Sequence, residues 1–234
     1  MNPVDVIILA GGLGTRLQQT VPDVPKPLAP INEKPFLDIL LAFLNRWDFV
    51  ERVVIAVGHM SDKVIQRYKD TDLYNFEVYF SIEEKLLGTG GAIKKALQHT
   101  ATDNILCLNG DSFIDVDLYS VVEYHAKHSA TMTIVVREVE NTDRYGAVNL
   151  DGHNRIKKFT EKNEGGSGGY INAGMYLFKR DLFDDVQGEP ISLEKELLPV
   201  FLKKGVYGYI ASGKFIDIGI PETYKMAQDY LTDM

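Results

Sequence analysis

The stretch from Val4 to Pro27 constrains this chain more than any other. It holds an apolar run, the glycine-rich turn Gly11-Gly12-Leu13-Gly14-Thr15-Arg16-Leu17, and then Pro25-Lys26-Pro27. Val4, Val6, Ile7, Ile8 and Leu9 are β-branched or apolar, few in number and followed closely by glycine, which predicts a buried strand opening onto a loop. Glycines there let backbone N–H groups approach a ligand and point at it, which favours an anion. Arg16 and Lys26 add two positive charges, the second on a support stiffened by proline on either side. The local chemistry is that of polyphosphate binding.

Two familiar glycine motifs fail on spacing. A dinucleotide fingerprint needs a glycine three residues after Gly14, where Leu17 stands, and a Walker loop needs Gly-Lys-Ser/Thr, where Gly14-Thr15-Arg16 stands. Gly208 to Lys214 has the spacing of a Walker loop, but Phe215 replaces the required hydroxyl and the stretch reads as a strand.

The order of elements places this turn in a sheet. Pro35 to Trp47 carries Phe36, Leu37, Ile39, Leu40, Leu41, Phe43 and Leu44 largely on one helical face, with proline at its start. A second strand over 52–57 ends at Gly58, and a short helix follows over 63–68. A third strand, 76–82, precedes the turn Leu87-Gly88-Thr89-Gly90-Gly91-Ala92 and a helix over 93–97; a fourth, 104–108, ends at Asn109-Gly110-Asp111. Alternating strands and helices predict an open, mostly parallel Rossmann-like α/β sheet. Ligands bind such sheets outside the carboxyl ends of the strands, where Gly11, Gly88 and Asp111 fall. From Thr131 the pattern turns β-rich, with strands over 132–136, 147–150, 155–160, 170–178, 206–211 and 214–218, a helix over 191–202 and a closing helix over 221–231. The tract Gly165-Gly166-Ser167-Gly168-Gly169 has a linker's composition but is read as a loop between two strands, because too few residues follow it to build a separate core.

With 234 residues, 45% hydrophobic and 25% charged, the chain suits one domain, with a first part over about 1–130 and a second over about 131–234. The lone Cys107 sits in an apolar run and has no partner in the chain, which argues for a reducing, cytoplasmic setting. No basic leader segment and no apolar run long enough for a membrane span is evident. The formal net charge of −8 argues against nonspecific nucleic-acid binding. An acidic protein that takes anionic substrates must concentrate positive charge locally or recruit a cation.

A strand leading into Gly-Gly-x-Gly-Thr-Arg-Leu, followed by Pro-Lys-Pro, resembles the signature of the sugar nucleotidyltransferases, which join a sugar 1-phosphate to a nucleoside triphosphate and release pyrophosphate. The resemblance runs from residue 5 to about 225 with the motifs in the family's order, and it implies roles residue by residue. Arg16 and the backbone of Leu9, Ala10, Gly11, Gly12, Gly14 and Thr15 would hold the triphosphate, Lys26 would sit against the transferring phosphate, and Gly88, Thr89 and Asn109 would complete the nucleotide site. Asp111, and Asp217 in Phe215-Ile216-Asp217-Ile218-Gly219, match the two aspartates that hold Mg²⁺, a cation content with one or two carboxylates plus phosphate oxygens. The family pattern often ends there in Gly-Thr, whereas this chain has Gly219-Ile220, a departure that bears on the turn rather than the ligand. Tyr145, Gly146 and Asn172 match the sugar site, and in Glu161-Lys162 the glutamate would take sugar hydroxyls and the lysine the sugar phosphate. The segments hold no hexapeptide repeats of the kind some relatives append as a β-helix, so no attached acyltransferase is expected.

Glu83 lies where the family reads the base. A carboxylate accepts two hydrogen bonds from the N1–H and amino group of guanine and repels the acceptor edge of a pyrimidine, so GTP is the expected nucleotide. Asn109-Gly110-Asp111-Ser112-Phe113, Glu161-Lys162-Asn163 and the Asp217 segment most resemble the bacterial D-glycero-α-D-manno-heptose 1-phosphate guanylyltransferases, whose product serves surface glycans such as lipopolysaccharide or capsule. Mannose 1-phosphate or another hexose phosphate stays open as the sugar, and a homodimer stays open as the assembly. Asp115-Val116-Asp117 is a D-x-D sequence of the kind metal-dependent glycosyltransferases use; glycosyl transfer is thus the runner-up, although it leaves Gly11 to Leu17 and Lys26 unexplained.

Overall fold

The structure, a computed structural model, describes residues 2–18, 20–160 and 168–232. The chain opens with strand β1 (Val4–Leu9), a small hairpin of β2 (Pro30–Ile31) and β3 (Lys34–Pro35), and helix α1 (Phe36–Leu44). Strand β4 (Val50–Val57), helix α2 (Ser61–Tyr68), strand β5 (Glu77–Ile82), helix α3 (Gly88–Ala96) and strand β6 (Asn104–Asn109) follow. After β6 come the short strand β7 (Ser112–Ile114), helix α4 (Leu118–Lys127), and strands β8 (Met132–Val139), β9 (Ala147–Leu150), β10 (Ile156–Thr160) and β11 (Gly169–Lys179). A π-helical turn (Leu193–Leu197) runs into α5 (Leu198–Phe201), and β12 (Val206–Ala211), β13 (Phe215–Asp217) and α6 (Pro221–Tyr230) close the order.

Among the described residues nine strands form one mixed sheet, with β10-β9-β11-β6-β1-β4-β5 in sequence and β8 pairing both β11 and β12. The half that holds β6, β1, β4 and β5 is parallel throughout. Strand β11 then enters antiparallel beside β6 and carries the β-rich half on the same sheet. The parallel half is the Rossmann-like arrangement the alternation predicts, and β11 makes the whole sheet mixed.

Strand β1 is covered on both faces, which is why, Asp5 apart, it reads as an apolar run. Val4, Val6 and Ile8 pack with α1 in one core, whereas Ile7 joins Ile93, Cys107 and Tyr176 in a second core on the opposite face. Burial pushes the Cys107 thiol up, so it stays protonated inside that second core. Helix α1 differs from its expected single apolar face, for Phe36, Leu37, Ile39, Leu40, Leu41, Phe43 and Leu44 are all buried and even Asp38 is enclosed enough to bond Arg67 at 2.7 Å. A helix apolar nearly all round belongs between layers.

The glycines at 88–91 depart further from expectation. They form the first turn of α3 rather than a loop before it. Gly88 has φ +72°, and a Cβ there would strike the carbonyl of Ile191; one at Gly90 would lie 2.6 Å from Leu197 Cδ1. The glycines thus make room for residues 191–197, docked on the helix start, and this close approach outweighs their poor helix propensity. The expected helix over 191–202 is correspondingly broken into π, α and 3₁₀ turns. Of the glycine-serine tract, residues 165–167 lie outside the described residues.

Candidate active site

Four parallel strands end side by side and supply the first wall of the site. Leu9 of β1 is in register with Asn109 of β6 and Ala56 of β4, and β5 delivers Glu83 just past Ile82, with the Glu83 amide bonded to the Val57 carbonyl at 2.8 Å. The loops beyond these ends touch closely. A Cβ at Gly58 would lie 2.8 Å from the Gly11 carbonyl oxygen, one at Gly110 would lie 2.6 Å from that of Leu9, and one at Gly11 would strike the Glu83 carboxylate. Side chains are excluded at these points because backbone and carboxylate already occupy the space.

A cavity of about 300 Å³ opens over these strand ends. Leu9, Ala10, Gly11, Gly12 and Gly14 line it from the first turn, and Lys26 lies beneath. Glu83 lines it from the end of β5, Gly88 and Thr89 from the first turn of α3, and Asn109 and Asp111 from the end of β6 and the turn after it. Burial raises the Glu83 carboxyl, opposed by the Leu87 backbone N–H, which donates to it at 3.3 Å, and by the charge of Lys95.

Lys26 is held as its proline neighbours imply. It begins a 3₁₀ turn behind the extended Pro25, with Pro27 buried, and its stem passes Gly14, whose φ of +62° and missing Cβ leave it room. The ammonium forms an ion pair with Asp111, its side chain only 13% exposed. A charge so enclosed keeps its position because its partner is fixed by β6 and β7.

Asp111 and Asp217 are far apart in sequence and adjacent in the fold. Strand β13 pairs antiparallel with β7, Asp217 stands opposite Ser112, and the Ile218 amide donates to the Asp111 carbonyl at 2.8 Å. Asp217 also accepts the Gly219 amide at 2.9 Å. Among the described residues no cluster of three or more His, Cys, Asp or Glu side chains forms a metal cage. Two neighbouring carboxylates, of which Asp111 lines that cavity, nonetheless fit a hard cation that takes its remaining oxygens from phosphate and water.

A second cavity of about 600 Å³ adjoins the first and shares Asn109, Asp111 and Glu194 with it. Tyr145, Gly146, Asn172 and Asp217 line it, as does Arg16, which the turn directs here rather than into the first cavity. Thr15 is exposed and lines neither cavity. Glu161 and Lys162 lie outside the described residues. Burial, and after it the charge of Asp217, pushes the Tyr145 phenol up to about 12, so it remains a donor. Gly146 is required by Phe159, whose ring occupies the place of a Cβ, and its carbonyl accepts the Asn172 amide at 2.9 Å.

Sequence reasoning missed three charged residues here, Arg144, Glu194 and Lys195. Arg144 lies over the Tyr145 ring at 5.7 Å and reaches Asp217 at 3.9 Å; its signal was its place beside Tyr145 and Gly146. Glu194 gave no usable signal, since Ser192 caps the following turn through the Lys195 amide at 3.2 Å and an acidic residue after a cap reads as a complement to the helix dipole. The D-x-D pair is engaged elsewhere. Asp117 caps α4 through the Tyr119 amide at 3.0 Å, and Asp115 pairs with Arg46 at 3.2 Å.

Sheet and cavities together describe an α/β fold with one cavity over its parallel strand ends and a second adjoining it. The nucleotidyl transferase family matches residues 5–233, and the chain belongs to that family. It is 38% identical over 230 residues to the D-glycero-alpha-D-manno-heptose 1-phosphate guanylyltransferase of Aneurinibacillus thermoaerophilus, spanning 97% of this chain and 98% of that one. It is 31% identical to the mannose-1-phosphate guanylyltransferase of Mycobacterium tuberculosis, over 95% of this chain and 63% of that one. HddC from Yersinia pseudotuberculosis, in its crystal structure complexed with GMP-PN, is similar at a TM-score of 0.85 and 33% identity, over 97% of this chain and 99% of that one. Among the described residues no helix is long and apolar enough to cross a membrane.

Proposed function

We propose that this chain transfers a guanylyl group from GTP to D-glycero-α-D-manno-heptose 1-phosphate, releasing pyrophosphate and forming a GDP-heptose for surface glycans. The observation that carries the reading is the junction of two cavities at Asp111, with Lys26 bonded to it, in a chain similar along its length to a heptose 1-phosphate guanylyltransferase. A sugar-phosphate oxygen attacks the α-phosphorus of GTP, a new P–O bond forms, and the bond to the β-phosphate oxygen breaks. Catalysis is then positioning and charge neutralisation.

The first cavity takes GTP. The Gly11 to Gly14 backbone cradles its phosphates, and Glu83 accepts the N1–H and amino group of guanine. Lys26 faces the transferring phosphate. Arg16, lining the second cavity, supplies charge where the two phosphates meet. Tyr145, Gly146 and Asn172 receive the sugar, with Glu161 and Lys162 retaining the hydroxyl and phosphate roles that the family resemblance implies. Asp111 and Asp217 would hold Mg²⁺, which when bound neutralises developing negative charge on the phosphates. GTP as donor suits a cytoplasmic enzyme.

The test is pyrophosphate release with Mg²⁺ across four nucleoside triphosphates, each paired with heptose 1-phosphate and mannose 1-phosphate. GTP with the heptose phosphate is expected to give the highest kcat/KM. A preference for mannose 1-phosphate would move the assignment to the second relative's chemistry, and consumption of an NDP-sugar with an acceptor, without pyrophosphate release from any pair, would replace it by glycosyl transfer.

Glu83 supplies a pH-dependent check. Protonation turns one of its two acceptor oxygens into a donor, and because its carboxyl is raised in the fold, kcat/KM for GTP should fall on the acid side at higher pH than an ordinary carboxylate would give. Glu83→Gln should lose that limb and much of the preference for GTP. A variant that keeps both refutes the role.

A further inference from the structure

Glu194 lines both cavities and has no part in the chemistry above. Its place is set by a segment strapped onto the start of α3. The Ile191 amide donates to the Leu87 carbonyl at 2.9 Å, the Gly90 amide to the Ile191 carbonyl at 2.9 Å, and the Leu193 amide to Thr89 Oγ1 at 2.8 Å. The Glu194 carboxylate then collects donors from both directions. Its Oε2 accepts the Thr89 hydroxyl at 2.7 Å and the Ser192 hydroxyl at 3.2 Å, and its Oε1 accepts the Tyr176 hydroxyl at 3.1 Å. Tyr176, fully buried, accepts in turn from Asn172 Nδ2 at 2.7 Å, and Asn172 Oδ1 accepts the Gly174 amide at 2.9 Å.

Side-chain hydrogen bonds therefore run without a break from Thr89, in the first cavity, to Asn172, in the second. The polarity of the chain is fixed. A phenol or alcohol has one proton to give, and both Tyr176 and Thr89 give theirs to the carboxylate at the centre. Burial, with the Glu194 charge behind it, keeps the Tyr176 phenol protonated.

We propose that Glu194 is a positioning residue that couples the two substrate sites. A nucleotide resting on the first turn of α3 fixes Thr89, and through Glu194 and Tyr176 it fixes the Asn172 amide, so that each substrate binds more tightly once the other is in place. The inference rests on the reading of the two cavities as nucleotide and sugar-phosphate sites. A carboxamide at position 194 breaks the chain with little change of shape, because its NH₂ group must face a donor on one side.

The experiment measures heptose 1-phosphate binding by calorimetry, with and without a non-hydrolysable GTP analogue and Mg²⁺. The wild-type chain should bind the sugar phosphate about 5-fold or more tighter with the analogue present. Glu194→Gln and the near-isosteric Thr89→Val should reduce that enhancement to less than about 2-fold, whereas Thr89→Ser, which restores the hydroxyl, should retain it. Loss through packing alone would not be reversed by serine, and if Glu194→Gln fails to fold, the valine and serine pair decides. Equal enhancement in the wild type, Glu194→Gln and Thr89→Val, or none in the wild type, overturns the coupling. If that wild type still releases pyrophosphate, the guanylyltransferase reading stands without it. A folded wild type that binds neither ligand and releases no pyrophosphate overturns both.

Discussion

Lys26→Ala is expected to lower kcat by about 100-fold or more, the scale seen when one preorganised charge donor is removed from a site of developing negative charge. The ammonium is enclosed, carried on a turn stiffened by proline, and already fixed against Asp111. It therefore reorganises little when charge develops. The effect should fall on kcat rather than on KM for GTP, because an interaction that strengthens in the transition state raises turnover and not ground-state affinity. Steady-state pyrophosphate release separates the two parameters. A variant with near-normal kcat would remove Lys26 from the catalytic assignment.

Asp111→Asn should be at least as damaging, about 10³-fold in kcat/KM, because it weakens two interactions at once. It removes the carboxylate that orients Lys26, and it removes one of the two anionic ligands proposed for Mg²⁺. Two measurements separate these losses. Titration with Mn²⁺ followed by electron paramagnetic resonance should show weaker binding to Asp111→Asn and to Asp217→Asn, whereas Lys26→Ala should bind the cation as well as the wild type. Equal Mn²⁺ affinity in all three would leave the aspartates without a role as metal ligands.

The parts of this molecule legible in its sequence are those whose causes are local. Strand β1 is apolar because both its faces are covered, and Lys26 is rigid because prolines flank it. The causes of helix α4 are equally local, with Asp117 as its cap and Leu118, Val121 and His125 buried at helical spacing, although the same aspartate completes a D-x-D sequence of the metal-binding kind. What stayed hidden depends on distant approach. Gly88 and Gly90 look like a ligand-facing turn, yet the segment at 191–197 that needs their missing side chains lies about a hundred residues on. The antiparallel entry of β11 and the pairing of β7 with β13, which brings Asp217 to Asp111, are likewise set by the sheet as a whole. Arg16 shows the same limit at one residue: its turn was readable, but not which of two adjoining cavities its side chain lines.

The β7–β13 ribbon also orders events in time. By the end of β12 a growing chain has made every strand of the large sheet, including the four whose ends lie under the first cavity. Asp217 arrives only with β13, and the ribbon that seats it cannot form before then. An assembling or clipped polypeptide lacking β13 has the residues that line the first cavity but not the paired carboxylates beside it. On the proposed reading, competence for transfer waits for β13, a step of synthesis separate from the making of the large sheet.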